Sequence, residues 1–241
     1  MLSPVNIVLV ETSHPGNIGA VARAMKNMGI SQLRLVNPKQ FPCAEATARA
    51  SGADDLLAQA RIFSDLATAI SDCTWVIGAT ARLRTVPVPE ISPRNCAQQY
   101  ATLTTPIALV FGRENSGLTN QELDLCHYLL KIPCNPTYSS LNIAAAVQIV
   151  CYEFWLASQE IPANATGRDQ TLPPLATAAQ MEGFYQHLQQ TIEVIGFLQP
   201  ERAESMMRRL RRIFNRTHLD SHELDILRGI LRFAQHHSLK P

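Results

Sequence analysis

The chain has 241 residues, of which 17% are charged and 46% hydrophobic, and its formal net charge at pH 7 is +1. This length and apolar share suffice for one large domain, or for a domain with an appendage, built around a sizeable core. The near-neutral charge gives no support for a protein that is basic overall, so any nucleic-acid-binding surface has to be a local patch.

Six cysteines are scattered along the chain without CxxC pairs or partner histidines. This pattern predicts reduced thiols in a cytoplasmic protein and no structural metal. The first residues lack a basic stretch followed by an apolar run, which predicts no signal peptide. No apolar run approaches the roughly 20 residues needed to cross a bilayer, so we expect no membrane partner.

Through about residue 156, short apolar runs alternate with helical patterns, which is typical of an α/β domain with a mainly parallel sheet and helices on both faces. A helix is predicted from Ile18 with Gly29 as its stop, and a second, interrupted at Ser51-Gly52, over Thr47–Ala60. Ala81–Pro93 is predicted to be a loop because it holds three prolines. Predicted strands cover Val5–Val10, Leu33–Val36, Arg61–Phe63, Thr74–Ala79, Ile107–Phe111 and Leu129–Ile132.

Residues 158–177 are rich in Pro, Gly, Thr and Asn, lack helical spacing and are predicted to be a linker. Three helical patterns follow, over Met181–Leu198, Glu201–Phe214 and Ser221–Phe233, and predict a small helical appendage. We therefore expect a domain over 1–157, a linker over 158–177 and a helical extension over 178–241.

Three loop-like segments follow one another closely at Gly112–Leu118, Ile132–Pro136 and Tyr138–Asn142. The first two come directly after predicted strands. The third precedes a long apolar helix, for which Ser139 or Ser140 is the expected cap. A capping box of Thr119 and Glu122 starts another helix between them. Because loops at the carboxyl ends of parallel strands can converge on one crevice, these segments predict a ligand site there.

Two other classes of enzyme fit poorly. A dinucleotide-binding turn needs G-x-G-x-x-G after a strand, whereas Gly16-Asn-Ile-Gly19 offers only G-x-x-G. The histidines show no metal-ligand spacing, and there is no G-x-S-x-G turn, so hydrolase and metalloenzyme functions are disfavoured. A nucleotide-binding metabolic enzyme without an RNA partner remains an alternative.

The segments FGRENSGLT, IPCNP and YSSLNIAAAVQ resemble the three C-terminal motifs of the SPOUT class of RNA methyltransferases. The N-terminal ETSHPGNIGAVARAMKNMG resembles the first motif of that class in its 2′-O-ribose methyltransferases. The resemblance implies a C-terminal trefoil knot in the α/β domain, S-adenosyl-L-methionine as cofactor and a homodimer. It also implies tRNA as partner, methylated on the ribose of cytidine or uridine 32 in the anticodon loop. A ribosomal RNA methyltransferase and a non-catalytic RNA-binding relative are the alternatives.

The resemblance also implies which positions hold the cofactor, largely through main-chain groups. Glycine at such a position lets a ligand approach the main chain closely. For Ile132, plain strand packing is an equal alternative, and alanine at position 79 replaces a threonine that is frequent in similar sequences, which leaves a main-chain contact intact. The expected cofactor-binding residues are Ala79, Thr80, Ala81, Gly112, Ile132, Ser139, Ser140 and Leu141.

For catalysis the resemblance implies Arg23, Glu114, Ser140 and Asn142. Arg23 is expected to act across the dimer interface. Because a guanidinium stays protonated, it is suited to gripping the target phosphate or ribose and to stabilising the developing alkoxide. Glu114 is expected to brace Arg113 or the first loop. Without the resemblance, Arg23 is an ordinary surface charge.

Five residues are candidates for contact with RNA. Asn17 lies where the first loop meets its helix, although it is also suited to a turn or a cap. Arg82 and Arg84 lie in the proline-rich loop, and Arg208 and Arg212 belong to an arginine run in the helical extension. Clustered arginines neutralise phosphates, although a solvated helix face explains such a run equally well.

Overall fold

The computed structural model describes residues 4–81, 88–101, 103–160, 173–199 and 202–238. The chain forms two compact units, Met1–Arg168 and Asp169–Pro241. No helix among the described residues has the length and apolar character required to span a membrane.

The described part of the first unit contains a seven-stranded sheet in the order β3-β2-β1-β6-β4-β7-β5, and every pair of neighbours is parallel. This confirms the α/β class with a parallel sheet. The trefoil knot stays a prediction. The strands are β1 Val5–Val10, β2 Gln32–Val36, β3 Arg61–Phe63, β4 Trp75–Ala79, β5 Glu90–Ile91, β6 Ile107–Phe111 and β7 Tyr128–Leu130.

The central strands are buried along their whole length. All residues of β1 and β6 are buried. Since successive side chains of a strand point to opposite faces, both faces of the sheet are covered there. The helices of this unit are α1 Pro15–Asn27, α2 Ala44–Ala50, α3 Asp54–Ala58, α4 Leu66–Ala69, α5 Pro93–Tyr100, α6 Asn120–Leu123 and α7 Ile143–Gln159.

The second unit has three described helices, α8 Ala178–Val194, α9 Ala203–Asn215 and α10 Ser221–Ser238. They share a core that includes Phe184, Leu188, Met207 and Leu224. The predicted helical extension is confirmed. The domain boundaries stay a prediction, although α7 continues to Gln159 and Leu175 forms a bridge with Asp220, so both ends of the predicted linker have regular structure.

The expected loop over Ala81–Pro93 was partly wrong. Its end contains β5, which is held by pairing with β7, and α5 begins at Pro93. The Ser92 hydroxyl accepts a hydrogen bond from the amide of Asn95, and proline at the first helical position already has the required φ. Strand β5 has only two residues and depends on its pairing with β7, so its own sequence does not predict a strand. Residues 82–87, which include Arg82 and Arg84, lie outside the described part of the chain.

Helices α1 and α2 approach each other closely in the first unit. A Cβ atom added at Gly19 would lie 2.0 Å from the main-chain oxygen of Ala46. Because this obstacle is main chain, a larger residue can be accommodated only if one helix moves. Gly19 therefore fixes how closely α1 approaches α2.

We predict that Gly19→Ala lowers the free energy of unfolding of the first unit by about 3 kcal/mol, as overpacking does when the backbone has to shift. Urea denaturation followed by circular dichroism measures this change. Gly183→Ala is the matched control because it also lies in a helix, where an added Cβ meets only the Arg228 guanidinium at 3.9 Å. The control variant should be as stable as the wild type or gain up to about 1 kcal/mol. Equal stability of both variants would contradict the prediction.

Candidate active site

Strands β6, β4 and β7 are neighbours in the sheet, and the segments that follow them surround one cavity. Its volume of about 470 Å³ is in the range of sites for small ligands. The segment that precedes α7 closes the cavity. It is lined by Ala79–Ala81, Phe111–Gly117, Leu130, Ile132, Cys134, Ser139–Ile143 and Ala146.

All eight residues expected to bind the cofactor line this cavity, and so do Glu114 and Asn142. Asn17 is connected to the cavity lining, because its side-chain oxygen accepts a hydrogen bond of 3.2 Å from the side-chain amide nitrogen of Asn142. Arg23 is exposed on α1 and does not line the cavity of its own chain. Arg208 and Arg212 lie on α9 in the second unit.

Gly112 is required by the loop that follows β6. A Cβ atom at this position would lie 2.3 Å from the carbonyl carbon of Gly117 and 2.4 Å from the amide nitrogen of Leu118. The loop folds back on itself through a bridge between Arg113 and Gly117, whose φ is +70°. Close approach at Gly112 is therefore a contact within the chain, in addition to any contact with a ligand.

The guanidinium of Arg113 lies between two carboxylates. It donates to both oxygens of Glu11 at 2.9 and 2.6 Å and to both oxygens of Glu122 at 3.0 and 3.1 Å. Hydrogen bonds to these partners raise its pKa, and its bond to Glu11 holds the pKa of that carboxyl below its usual value. Glu122 also completes the capping box with Thr119 that starts α6. Arg113 thus connects the end of β1, the loop after β6 and α6.

The carboxylate of Glu114 is occupied by the loop that follows β1. It accepts hydrogen bonds from the main-chain nitrogens of Ser13 and His14, from the Ser13 hydroxyl at 2.9 Å and from the Asn17 amide at 3.0 Å. Partial burial acts to raise the pKa of Glu114, but hydrogen bonds from Asn17, from its own amide and from Ser13 outweigh it and bring the pKa to about 2. Glu114 is therefore ionised at neutral pH and fixes the first loop.

Asn142 extends this chain of hydrogen bonds to α7. Its side-chain oxygen accepts a bond of 2.9 Å from the amide of Ala144, and this makes Asn142 the cap of the helix. The expectation that Ser139 or Ser140 caps α7 was therefore wrong. All three residues are good caps by type. What decides between them is that Asn142 also meets Asn17, which lies 125 positions away along the chain.

The sequence did not indicate some residues of the site. Glu11 stands directly after β1, and a charge at a strand end was the available signal for it. Cys134 lines the cavity beside Ile132. Tyr138, which is 80% exposed, stands next to the lining residue Ser139. The described residues contain no cluster of three metal-ligating side chains.

Sequence comparison identifies the family. The profile of the SpoU rRNA Methylase family matches residues 4–152, which include the whole cavity lining. The chain belongs to the SpoU rRNA Methylase family. Residues 179–240 match a second profile, the C-terminal domain of the tRNA methyltransferase TrmJ. The resemblance to 2′-O-ribose methyltransferases of the SPOUT class is thereby confirmed.

Relatives of this SpoU methylase match it over nearly its full length. The tRNA (cytidine/uridine/adenosine-2′-O-)-methyltransferase TrmJ of Pseudomonas aeruginosa is 48% identical, and the match covers 98% of this chain and 95% of that protein. The crystal structure of TrmJ from Z. mobilis has a TM-score of 0.83 and 35% identity, covering 95% of this chain and 97% of the other. A probable methylase family protein of Haemophilus influenzae has a TM-score of 0.64 and 41% identity, with 98% of each chain covered.

The cavity is chemically suited to S-adenosylmethionine, the methyl donor of this family. Its lining combines small or apolar residues such as Ala79, Ile132 and Leu141 with the main chain of several loops. Arg113 is the one cationic side chain among the described residues that line the cavity, and two carboxylates neutralise it. A positively charged sulfonium would therefore meet no uncompensated positive charge from that lining.

We predict that the Glu114 carboxylate makes the stability of this unit fall between about pH 4.5 and pH 2. Its pKa is depressed in the folded state, so its contribution is complete above the unfolded pKa of about 4.5 and is lost as the pH falls through about 2. Glu114→Gln should reduce this loss, and urea midpoints at pH 6 and pH 3 measure it. Asp54→Asn is the control, since Asp54 is an exposed carboxylate of the same unit that lies away from the cavity. If the stability of Glu114→Gln depended on pH as that of the wild type does, the lowered pKa of Glu114 would not be the cause.

Proposed function

We propose that this protein transfers a methyl group from S-adenosylmethionine to the ribose 2′-hydroxyl of nucleotide 32 in the tRNA anticodon loop. One observation carries this proposal. All the motif residues that the family resemblance assigns to the cofactor line a single cavity. Relatives such as the tRNA (cytidine/uridine-2′-O-)-methyltransferase TrmJ of Salmonella typhimurium, which is 48% identical, are named for methylation of tRNA at the cytidine or uridine 2′-hydroxyl. The position in the anticodon loop follows from the family resemblance, and the cytoplasmic location follows from the cysteine pattern.

The reaction requires three contributions. S-adenosylmethionine supplies the methyl group. The protein has to hold the nucleotide in line with it and to support the loss of the hydroxyl proton. Ser140 and Asn142 lie at the cavity, where the Ser140 hydroxyl can serve a ribose, while Asn142, whose oxygen caps α7 and whose side-chain amide donates to Asn17, retains its second amide hydrogen as a donor. Glu114 contributes indirectly, because its carboxylate is committed to Ser13 and Asn17.

A homodimer is part of the proposal. The charge expected to meet the ribose, Arg23, does not line the cavity of its own chain, so a second copy has to deliver it. Helix α1, which carries Arg23, packs against α7. Helix α7 exposes Ile149, Tyr152 and Trp155 at spacings of three residues, with 37%, 47% and 39% of their surfaces accessible. An apolar stripe of this kind on a family member supports α7 as the dimer contact.

We expect the wild-type protein to label bulk tRNA, and to leave ribosomal RNA unlabelled, when it is incubated with methyl-labelled S-adenosylmethionine. In Arg23→Ala, cofactor affinity measured by calorimetry should stay within about twofold, while the rate of transfer should fall by at least about 10²-fold, the scale of losing one charge-stabilising group. Arg49→Ala is the control, since Arg49 is another exposed arginine of this unit and has no place in the cavity. Near-normal turnover in Arg23→Ala would refute its role, whereas label in ribosomal RNA alone would refute the substrate.

The second unit supplies a surface for the RNA backbone. Three exposed arginines, Arg209 and Arg212 of α9 and its C-cap Arg216, lie on one face at spacings of three and four residues. No ion pair is described for them within residues 202–238. The other arginines of the run are engaged, since Arg208 pairs with Glu204 at 2.8 Å and Arg211 pairs with Glu182 at 2.7 Å. Arg212, but not Arg208, is therefore available as a free phosphate contact.

Replacing Arg209, Arg212 and Arg216 by glutamine should weaken tRNA binding and reduce the slope of log K against log salt by about 2 to 3, since each phosphate contact contributes about 0.9. Filter binding between 50 and 200 mM salt measures the slope. Arg208→Gln is the control and should change it little, because that side chain already has a carboxylate partner. Identical slopes for the triple variant and the control would exclude this surface.

A further inference from the structure

The segment between β7 and α7 presents one aromatic ring to solvent beside the cavity. Tyr138 is 80% exposed, more than any other large hydrophobic residue in the part of the chain that the structure describes. It stands directly before Ser139–Ile143, five consecutive residues that line the cavity. Within the described residues, its side chain has neither a hydrogen-bonding partner nor an aromatic neighbour. The ring is therefore open to a ligand.

The turn that carries Tyr138 has little conformational freedom. The main-chain nitrogen of Tyr138 donates to the carbonyl oxygen of Asn135 at 3.0 Å, which closes a tight turn with Pro136 at its second position. The side-chain oxygen of Asn135 accepts further hydrogen bonds from the amide and the hydroxyl of Thr137, at 3.0 and 2.8 Å. Because proline restricts φ and these bonds hold the turn, the ring is presented from a preorganised backbone.

We propose that Tyr138 is the surface on which the base of the target nucleotide stacks while its ribose is methylated. This inference rests on the proposed function and adds a substrate-binding residue to it. Proteins recognise unpaired RNA bases by splaying them out and stacking them on aromatic side chains. A nucleotide whose 2′-hydroxyl is turned toward the methyl group loses stacking on its neighbours, and a tyrosine ring replaces that contact.

The position of Tyr138 suits this role. Tyr138 and Ser140 are two residues apart, so their Cα atoms are separated by at most about 7 Å. A base is bonded to its ribose, so a ribose held at Ser140 carries its base within reach of the Tyr138 ring. Tyr138 is not among the residues that line the cavity, so its ring stands outside the volume that the cofactor would fill. This favours the base of the substrate over the adenine of the cofactor.

The surroundings of the ring also favour a nucleotide over a second copy of the chain. No residue from Ile132 to Asn142 is charged, and most residues of the turn and of the segment after it are short and polar. The core of a protein interface would surround the tyrosine with further apolar side chains. A stacked nucleotide instead needs the ring together with hydrogen-bonding groups for its base edge and ribose.

Methylation kinetics of the full-length chain test this role. Tyr138→Ala should raise KM for tRNA about 5- to 100-fold, the range for one base–aromatic stack, and should change kcat less. Tyr138→Phe keeps the ring and should stay within about twofold of the wild type. Cofactor affinity measured by calorimetry should be unchanged in both variants. Phe197→Ala is the matched control, because it removes another exposed ring, 63% accessible, that belongs to the second unit.

A tRNA without a base at position 32, assembled from synthetic halves, tests the contact itself. Filter binding in the presence of S-adenosylhomocysteine compares the wild type and Tyr138→Ala on the intact and the abasic tRNA. If the ring and the base touch, removing either should weaken binding by a similar factor, and removing both should weaken it little further. Losses that multiply independently would overturn the proposal, since the ring would then contact something else.

Three other results would overturn the proposal by assigning the ring elsewhere or nowhere. A loss of cofactor affinity in Tyr138→Ala would assign it to S-adenosylmethionine, and a shift toward monomer in sedimentation would assign it to a second copy of the chain. An unchanged KM for tRNA would exclude stacking and leave the proposed function intact. Absence of methyl transfer to tRNA by the wild type would instead refute the proposed function, and the stacking with it.

Discussion

The carboxylate of Glu114 holds the candidate active site together. Through Ser13 and Asn17 it fixes the loop after β1, and Asn17 passes the connection on to Asn142 at the start of α7. Three segments far apart in sequence are thereby connected by one line of hydrogen bonds. Because each acceptor is charged or already oriented, the line defines a single geometry. The cavity has its shape because these loops cannot move independently.

Arg113, the neighbour of Glu114 in sequence, provides the second connection, and the two side chains bind different segments. Arg113 joins Glu11 and Glu122, which belong to the loop after β1 and to α6, while Glu114 points to the first loop. Charged side chains thus serve as scaffold around the cavity and leave its interior to main-chain groups and small side chains. A site of this composition is suited to a cationic cofactor.

The sequence was informative where the signal is local. Apolar runs located the main strands, and Thr119 with Glu122 located the start of α6. It failed where distant residues decide the outcome. Strand β5 exists because β7 lies beside it, and Asn142 rather than Ser139 or Ser140 caps α7 because Asn17 is opposite. The motifs indicated as a set the residues that line the cavity, whereas the role of Glu11, the first residue of the N-terminal motif, appears only in its contact with Arg113.

The position of β6 has a consequence for the growing chain. This strand lies between β1 and β4, yet it is made after both of them. Until Phe111 has been synthesised, β1 therefore presents an open apolar edge, and β4 has neither of its final neighbours. Such edges favour association with other chains during synthesis. We expect the nascent protein to depend on shielding by chaperones over this interval, and to gain its central sheet late and in one step.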